Sequence, residues 1–261
     1  MPPRLKYYDI SPKVIAFSTM RAGGCSKGCY SEFNINPYCG DDLESVRKNR
    51  KSLCRLLGVE EKKLLLPHQV HGCSILEIDN PFFQLSASAR NDRLQGVDAM
   101  VTRLPRVCIG VSTADCVPVL LYDEQTLAIA AIHAGWRGTQ QRIVEKVLQH
   151  MAKHMGCRVQ GMKALIGPSI SLDAFEVGEE VVNAFQRAGF PMREVAAVKA
   201  GKWHVDLWRA NEYLLEAAGM DRRNILLSGI CTFGQVNEFF SARRLTIHSG
   251  RIYNGIMLRE G

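Results

Sequence analysis

The segment from Val111 to Thr139, VSTADCVPVLLYDEQTLAIAAIHAGWRGT, constrains the fold more than any other part of the chain. Two apolar runs, 117–122 and 127–132, flank the polar residues Asp123, Glu124, Gln125 and Thr126. Apolar runs of that length around a polar turn read as an antiparallel hairpin. Pairing Tyr122 with Leu127 and stepping outward brings Cys116 opposite His133, one step beyond the strands. Directly opposed residues have Cβ atoms about 4.5–5.5 Å apart, near enough for a thiolate and an imidazole to share one metal ion. The plainer alternative, a buried thiol and a hydrogen-bonded histidine at a strand end, fits the same pattern.

Around this hairpin, short strands alternate with amphipathic helices. Strands are expected at 14–19, 74–78, 97–101, 107–112, 165–166, 225–228 and 239–241. Helices are expected at 42–57, 139–155, 179–188 and 207–218; those at 42–57, 139–155 and 179–188 are followed by Gly58, Gly156 and Gly189, and Gly219 follows the last. The polar stretch 86–95, SASARNDRLQ, reads as a surface loop. Tight strand connections argue for a mixed sheet over an all-parallel one. The expected fold is therefore α/β (α+β): one mixed-sheet domain over residues 1–261, with layered sheets flanked by helices. A chain of 261 residues with 46% hydrophobic composition buries such a core without staples.

The same sequence excludes several function classes. No G-x-G-x-x-G follows a strand and no P-loop is present, so dinucleotide and P-loop readings have no support. No apolar run approaches the roughly 18 residues that span a bilayer. The first twenty residues show no apolar h-region, so the cytoplasm is the default expectation. The nine cysteines are odd in number and scattered, so in that compartment they are expected to be reduced. The net charge of +7 is spread along the chain without a nucleic-acid-binding signature, and suits an anionic small substrate equally well.

Zinc suits a thiolate and imidazoles together, and a catalytic zinc takes three protein ligands with one open position. Cys116 and His133 need a third partner. His150 and His154 fall late on the 139–155 helix, where surface cations are favoured. The richest remaining site is PHQVHG, 67–72, and spacing leaves His68 and His71 both open.

HQVHG (68–72), VDAMVT (97–102), TADCVPVLL (113–121), HAGWRGT (133–139), IGPSI (166–170) and FEVGEEV (175–181) closely resemble the YfiH-like family, once named polyphenol oxidases or laccase-domain proteins and later purine nucleoside phosphorylases. The resemblance extends to 18–36, 40–50 and 239–244, so it covers nearly the whole chain. It implies a YfiH-like fold and metal ligands at His71, Cys116 and His133. Ser169 and Ser171 stand where the family often has Cys and Gly, Met20 lengthens the segment before Arg21, and Ala242 replaces an aromatic residue. None of these falls in the metal triad.

The resemblance implies phosphorolysis of adenosine, inosine, guanosine and methylthioadenosine, with adenosine deamination, and zinc as cofactor. The older copper-dependent polyphenol oxidase label meets an obstacle, because seven histidines and no H-x-H pair cannot build a multicopper cluster. A single copper in the zinc site remains compatible with the ligand types. Arg21, Arg137 and Arg243 are candidates to hold phosphate. Asp115 is a candidate acid/base or orienting carboxylate, and His68 a supporting residue. Purine nucleosides and phosphate are the expected partners, with no nucleic acid, no membrane, and a monomeric or weakly homo-oligomeric state. Two other classes stand beside this one: a cysteine hydrolase with Cys116 as nucleophile and His133 as base, and a partner-binding module. Trp136, Trp203 and Trp208 suit either a purine wall or the core.

Overall fold

The computed structural model describes residues 2–260. Three sheets organise them. The largest runs in the order 225–227, 163–166, 117–123, 128–134, 99–102, 75–78 and mixes parallel with antiparallel pairs. A second, five-stranded sheet has the order 5–8, 14–19, 252–258, 108–113, 64–65. A small third sheet joins 176–177, 202–205 and 196–199.

Strand periodicity explains the layering. Side chains alternate between faces, so Val117, Val119, Leu121, Ala128, Ala130 and Ile132 form one core with the helices Ile143–Met155, Glu179–Arg187 and Leu207–Ala217. The intervening residues Leu120, Tyr122, Ile129 and Ala131 pack instead on Val14, Ile109, Val111 and Ile256 of the second sheet. The far face of that sheet, with Phe17, Cys108 and Tyr253, is covered by Leu53, Cys54 and Leu57 of helix Leu43–Leu57. Both sheets are thus buried on both faces, and each fully buried Val, Leu or Ile contributes about 1.5–3 kcal/mol. The result is the expected mixed α/β architecture with layered sheets and flanking helices.

Four local expectations are corrected. The hairpin pairs Tyr122 with Ile129, Asp123 with Ala128 and Pro118 with His133, two residues from the expected register. The cause is the turn: Asp123 Oδ2 accepts from Thr126 N at 3.1 Å and Thr126 Oγ1 at 2.6 Å, and Leu127 turns with φ 52°, so Asp123 joins the strand and Leu127 leaves it. Residues 87–93 form a helix, not a loop, because the Ser86 hydroxyl caps it by accepting from Ala89 N. The helix expected from 139 to 155 is two helices, Trp136–Gln140 and Ile143–Met155, broken where Arg142 adopts φ 64° and bonds Glu145 and the Ala188 carbonyl. Finally, 239–241 is not a strand; Ser241 caps the short helix Ala242–Leu245.

Candidate metal centre

Two loops cross from one large sheet to the other, and both feed the same point. Residues 66–74 link strand Leu64–Leu65 of the second sheet to strand Ile75–Ile78 of the first. Residues 114–116 link Cys108–Thr113 to Val117–Asp123 in the same direction. The first loop carries His71 and the second Cys116. His133 comes from strand Ala128–Ala134, on the face of Ile129 and Ala131 that looks toward the second sheet. Because the register differs from expectation by an even number, Cys116 keeps the same face as His133 and sits diagonally from it.

His71, Cys116 and His133 each offer a donor atom, and these lie within 4.8 Å of one another. His71 Nε2 stands 3.9 Å from Cys116 Sγ, and the two imidazole rings meet edge-on at 4.7 Å. Nitrogen and sulfur ligands of one tetrahedral zinc stand about 3.6 Å apart, given bonds near 2.0 and 2.3 Å. A movement of a few tenths of an ångström closes the difference. Gly135 completes the cradle: a Cβ there would lie 2.9 Å from Cys116 Sγ and 3.2 Å from His71 Cδ2. The donor types, their spacing and the room beside them fit a zinc-sized cation.

Asp98, wholly buried, organises this set. Its Oδ1 lies 2.8 Å from His133 Nδ1 and accepts from His71 N at 2.9 Å, while Oδ2 accepts from Gly72 N at 2.8 Å and Val70 N at 3.3 Å. A carboxylate here can only accept, so Nδ1 carries a proton and Nε2 faces the thiol. Burial would raise the Asp98 pKa, but His133 and the backbone N–H groups outweigh it and hold it below the usual carboxylate range. Burial likewise would raise the Cys116 thiol; His133 and His71 overcome it and bring it well down. His133 is pushed up, burial being outweighed by the Cys116 thiolate and Asp98. Cys116 and His133 thus favour a thiolate–imidazolium pair. Asp98 lies in VDAMVT, where spacing alone gives it no role. The signal was available: an Asp at the head of an apolar strand is buried only with partners.

The donors open on a cleft of about 810 Å³. His68 lines it, stacked on Tyr38 at 4.4 Å with Nδ1 2.9 Å from Gln95 Oε1. Arg243 lines it too, its guanidinium over the Phe175 ring and donating to the Glu176 carbonyl at 3.1 Å. Asp115, with φ 83°, accepts from Thr232 Oγ1 and from Arg243 N, each at 2.7 Å. Both its oxygens are engaged, so it latches the Cys116 loop to helix Ala242–Leu245. Two arginines lie elsewhere. Arg21 donates to the Ser31 and Val236 carbonyls, and Arg137 is exposed over its neighbour Trp136; neither lines the cleft. Trp136, Trp203 and Trp208 do not line it either; Tyr38 and Phe175 supply its aromatic surface. Ser169 is buried and accepts from Trp208 Nε1 at 2.6 Å, a packing role for that departure from the family pattern.

Comparison with known proteins agrees with this architecture. A family model described as multi-copper polyphenol oxidoreductase laccase matches residues 15–259. A purine nucleoside phosphorylase of Bacteroides thetaiotaomicron is 48% identical, with 94% of this chain and 91% of that protein aligned. Adenosine deaminase RL5, from an unknown prokaryotic organism, is 44% identical over 93% of each chain. The crystal structure of the hypothetical protein YfiH of Bacillus licheniformis superposes with a TM-score of 0.88 at 27% identity, covering 94% of this chain and 93% of that one.

Proposed function

The chain belongs to this YfiH-like, laccase-model family, and from that premise we propose that it is a zinc-dependent purine nucleoside phosphorylase with adenosine deaminase activity. Its substrates in this reading are adenosine, inosine, guanosine and methylthioadenosine, with phosphate as co-substrate. The whole chain acts as one catalytic unit in the cytoplasm, as a monomer or weak homo-oligomer. The observation that carries the reading is one thiol and two imidazoles within 4.8 Å, opening on a cleft large enough for a nucleoside.

His71, Cys116 and His133 would hold the metal, which supplies Lewis acidity when bound. Zinc is the metal of this reading because three protein ligands with one open position are the catalytic zinc arrangement; the same thiolate and imidazoles also suit copper. Asp98 fixes the His133 tautomer and the His71 backbone. Arg243, with its guanidinium on the cleft wall, is the arginine proposed to meet phosphate; Arg21 and Arg137 would first have to leave their present surroundings. The Tyr38–His68 stack offers a flat surface to a purine. Asp115 positions Cys116 and Arg243 relative to each other.

The test is incubation of metal-analysed protein with adenosine or inosine and phosphate, following free base, ribose-1-phosphate and inosine. Phosphate-dependent base release with slower deamination is expected. Base release that survives both Cys116→Ala and thorough chelation would refute the zinc mechanism. The proximity of Cys116 to two imidazoles also suits a cysteine hydrolase. Turnover of a thiol-reactive ester with no nucleoside turnover would install that reading instead.

A further inference from the structure

A cluster of imidazole and carboxylate side chains lies away from the cleft, where helix Ile143–Met155, packed chiefly on strand Ala128–Ala134, reaches the edge strand Ile75–Ile78 through Glu77. The helix faces the sheet through Val144, Val147, Leu148 and Met151. His150 and His154 are four residues apart on its flank, so they share one side of the helix. Their rings are 4.8 Å apart. The strand alternates as well: Leu76 and Ile78 point to the inter-sheet core, while Ile75 packs toward the helices and Glu77 shares its face.

The contact between these elements is unusual in its length. His150 Nε2 is buried and, among the described residues, has no hydrogen-bond partner, yet Glu77 Oε2 stands 3.5 Å from it. Two ligand atoms bound to one tetrahedral ion at about 2.0–2.1 Å stand about 3.3 Å apart. The gap is therefore poor for a hydrogen bond and close to that of two donors sharing a cation. We propose that His150, His154 and Glu77 form a second, peripheral site for a late first-row divalent cation, with two imidazoles and one carboxylate as ligands.

Unlike the set at His71, Cys116 and His133, these donors are not yet gathered within one ion's reach. His154 is exposed, with its ring 4.8 Å from that of His150, and in this proposal it would turn to supply the third ligand. The C-terminal end of the helix dipole favours a cation at this point, although Lys153 lies beside His154. Imidazole and carboxylate ligands without sulfur suit Cu2+, Ni2+ and Zn2+, with Cu2+ held most tightly. Such a site clamps the helix to the edge strand. It also lets the protein carry copper without any copper in the cleft.

Ni2+ is the probe, because it does not oxidise the free thiols, and the protein must carry no histidine tag. Calorimetric titration of metal-free Cys116→Ala protein should show one Ni2+ per chain, and Ni2+ should raise its melting temperature. Adding His154→Ala should remove both the equivalent and the shift. In the otherwise wild-type chain, His154→Ala should lower the Ni2+ count by one, which keeps the test decisive if Cys116→Ala fails to fold. Glu77→Gln should weaken binding. An unchanged Ni2+ count or melting shift in either His154→Ala protein would overturn the proposal, as would a folded Cys116→Ala protein that binds no Ni2+. None of these outcomes depends on nucleoside turnover.

Discussion

Asp98 Oδ1 stands 2.8 Å from His133 Nδ1, and the same carboxylate holds the backbone N–H of His71. One buried anion thus sets the tautomer of one candidate ligand and the position of another. Asp98→Asn should weaken zinc binding by about 10–100-fold, the range for residues that orient metal-bound histidines. Competition with a chromophoric chelator measures it. Unchanged affinity would mean that Asp98 is only a structural group.

Gly135 has φ −61°, which any residue adopts, so Gly135→Ala should leave the fold intact. The new methyl would nevertheless press on Cys116 Sγ at 2.9 Å. Loss of bound metal and of nucleoside turnover is expected, with little change in melting temperature of the metal-free protein. Full metal content in this variant would show that the cradle has more room than its geometry implies.

Before metal binds, the thiol of Cys116 is brought down to about 6 although burial opposes this, because His133 and His71 stabilise the thiolate. A lowered value means the thiolate contributes stability above the ordinary thiol range, and the contribution is lost as pH falls through about 6. His133 is raised to about 9, against burial, by the thiolate and Asp98. Its contribution is present below the ordinary histidine range and lost as pH rises through about 9. In chelated protein, iodoacetamide should therefore modify Cys116 at pH 7 well before Cys54 and Cys108, whose thiols burial pushes up to about 11 and about 12. Zinc should protect Cys116. Modification of Cys116 no faster than of the two buried thiols would contradict the thiolate assignment.

Arg243→Ala should raise the KM for phosphate by about tenfold, equivalent to the loss of about 1.4 kcal/mol. The metal content should stay near one equivalent at the cleft, because the Asp115 contact uses the Arg243 backbone, not its side chain. Steady-state kinetics at varied phosphate measures this. An unchanged phosphate KM would move the anion site elsewhere.

Cys116 and His133 were legible as neighbours because residue type and strand parity are local properties. Cys116 and His133 shared a face in both the expected and the observed register, since an error of two residues preserves parity. The choice between His68 and His71 was not legible from spacing, because the two loops meet only through the crossing of two sheets. The register itself turned on Asp123 accepting from Thr126, a side-chain contact that periodicity does not encode. The helix at 87–93 was missed for a similar reason: its polar face hid the cap at Ser86. Arginine roles were the least legible, since Arg21 donates to the carbonyls of Ser31 and of Val236, the latter 215 positions away in sequence.

Strand Ile252–Leu258 lies between Val14–Thr19 and Cys108–Thr113 in the second sheet. A growing polypeptide on the ribosome has therefore made all three donor residues long before it can fill the middle of that sheet. Until residues 252–258 emerge, the strand that anchors the Cys116 loop has an unpaired edge. The nascent chain then carries His71, Cys116 and His133 beside a second sheet that still lacks its middle strand. In synthesis order, the sheet that anchors the Cys116 loop is completed only after all three donor residues have been made.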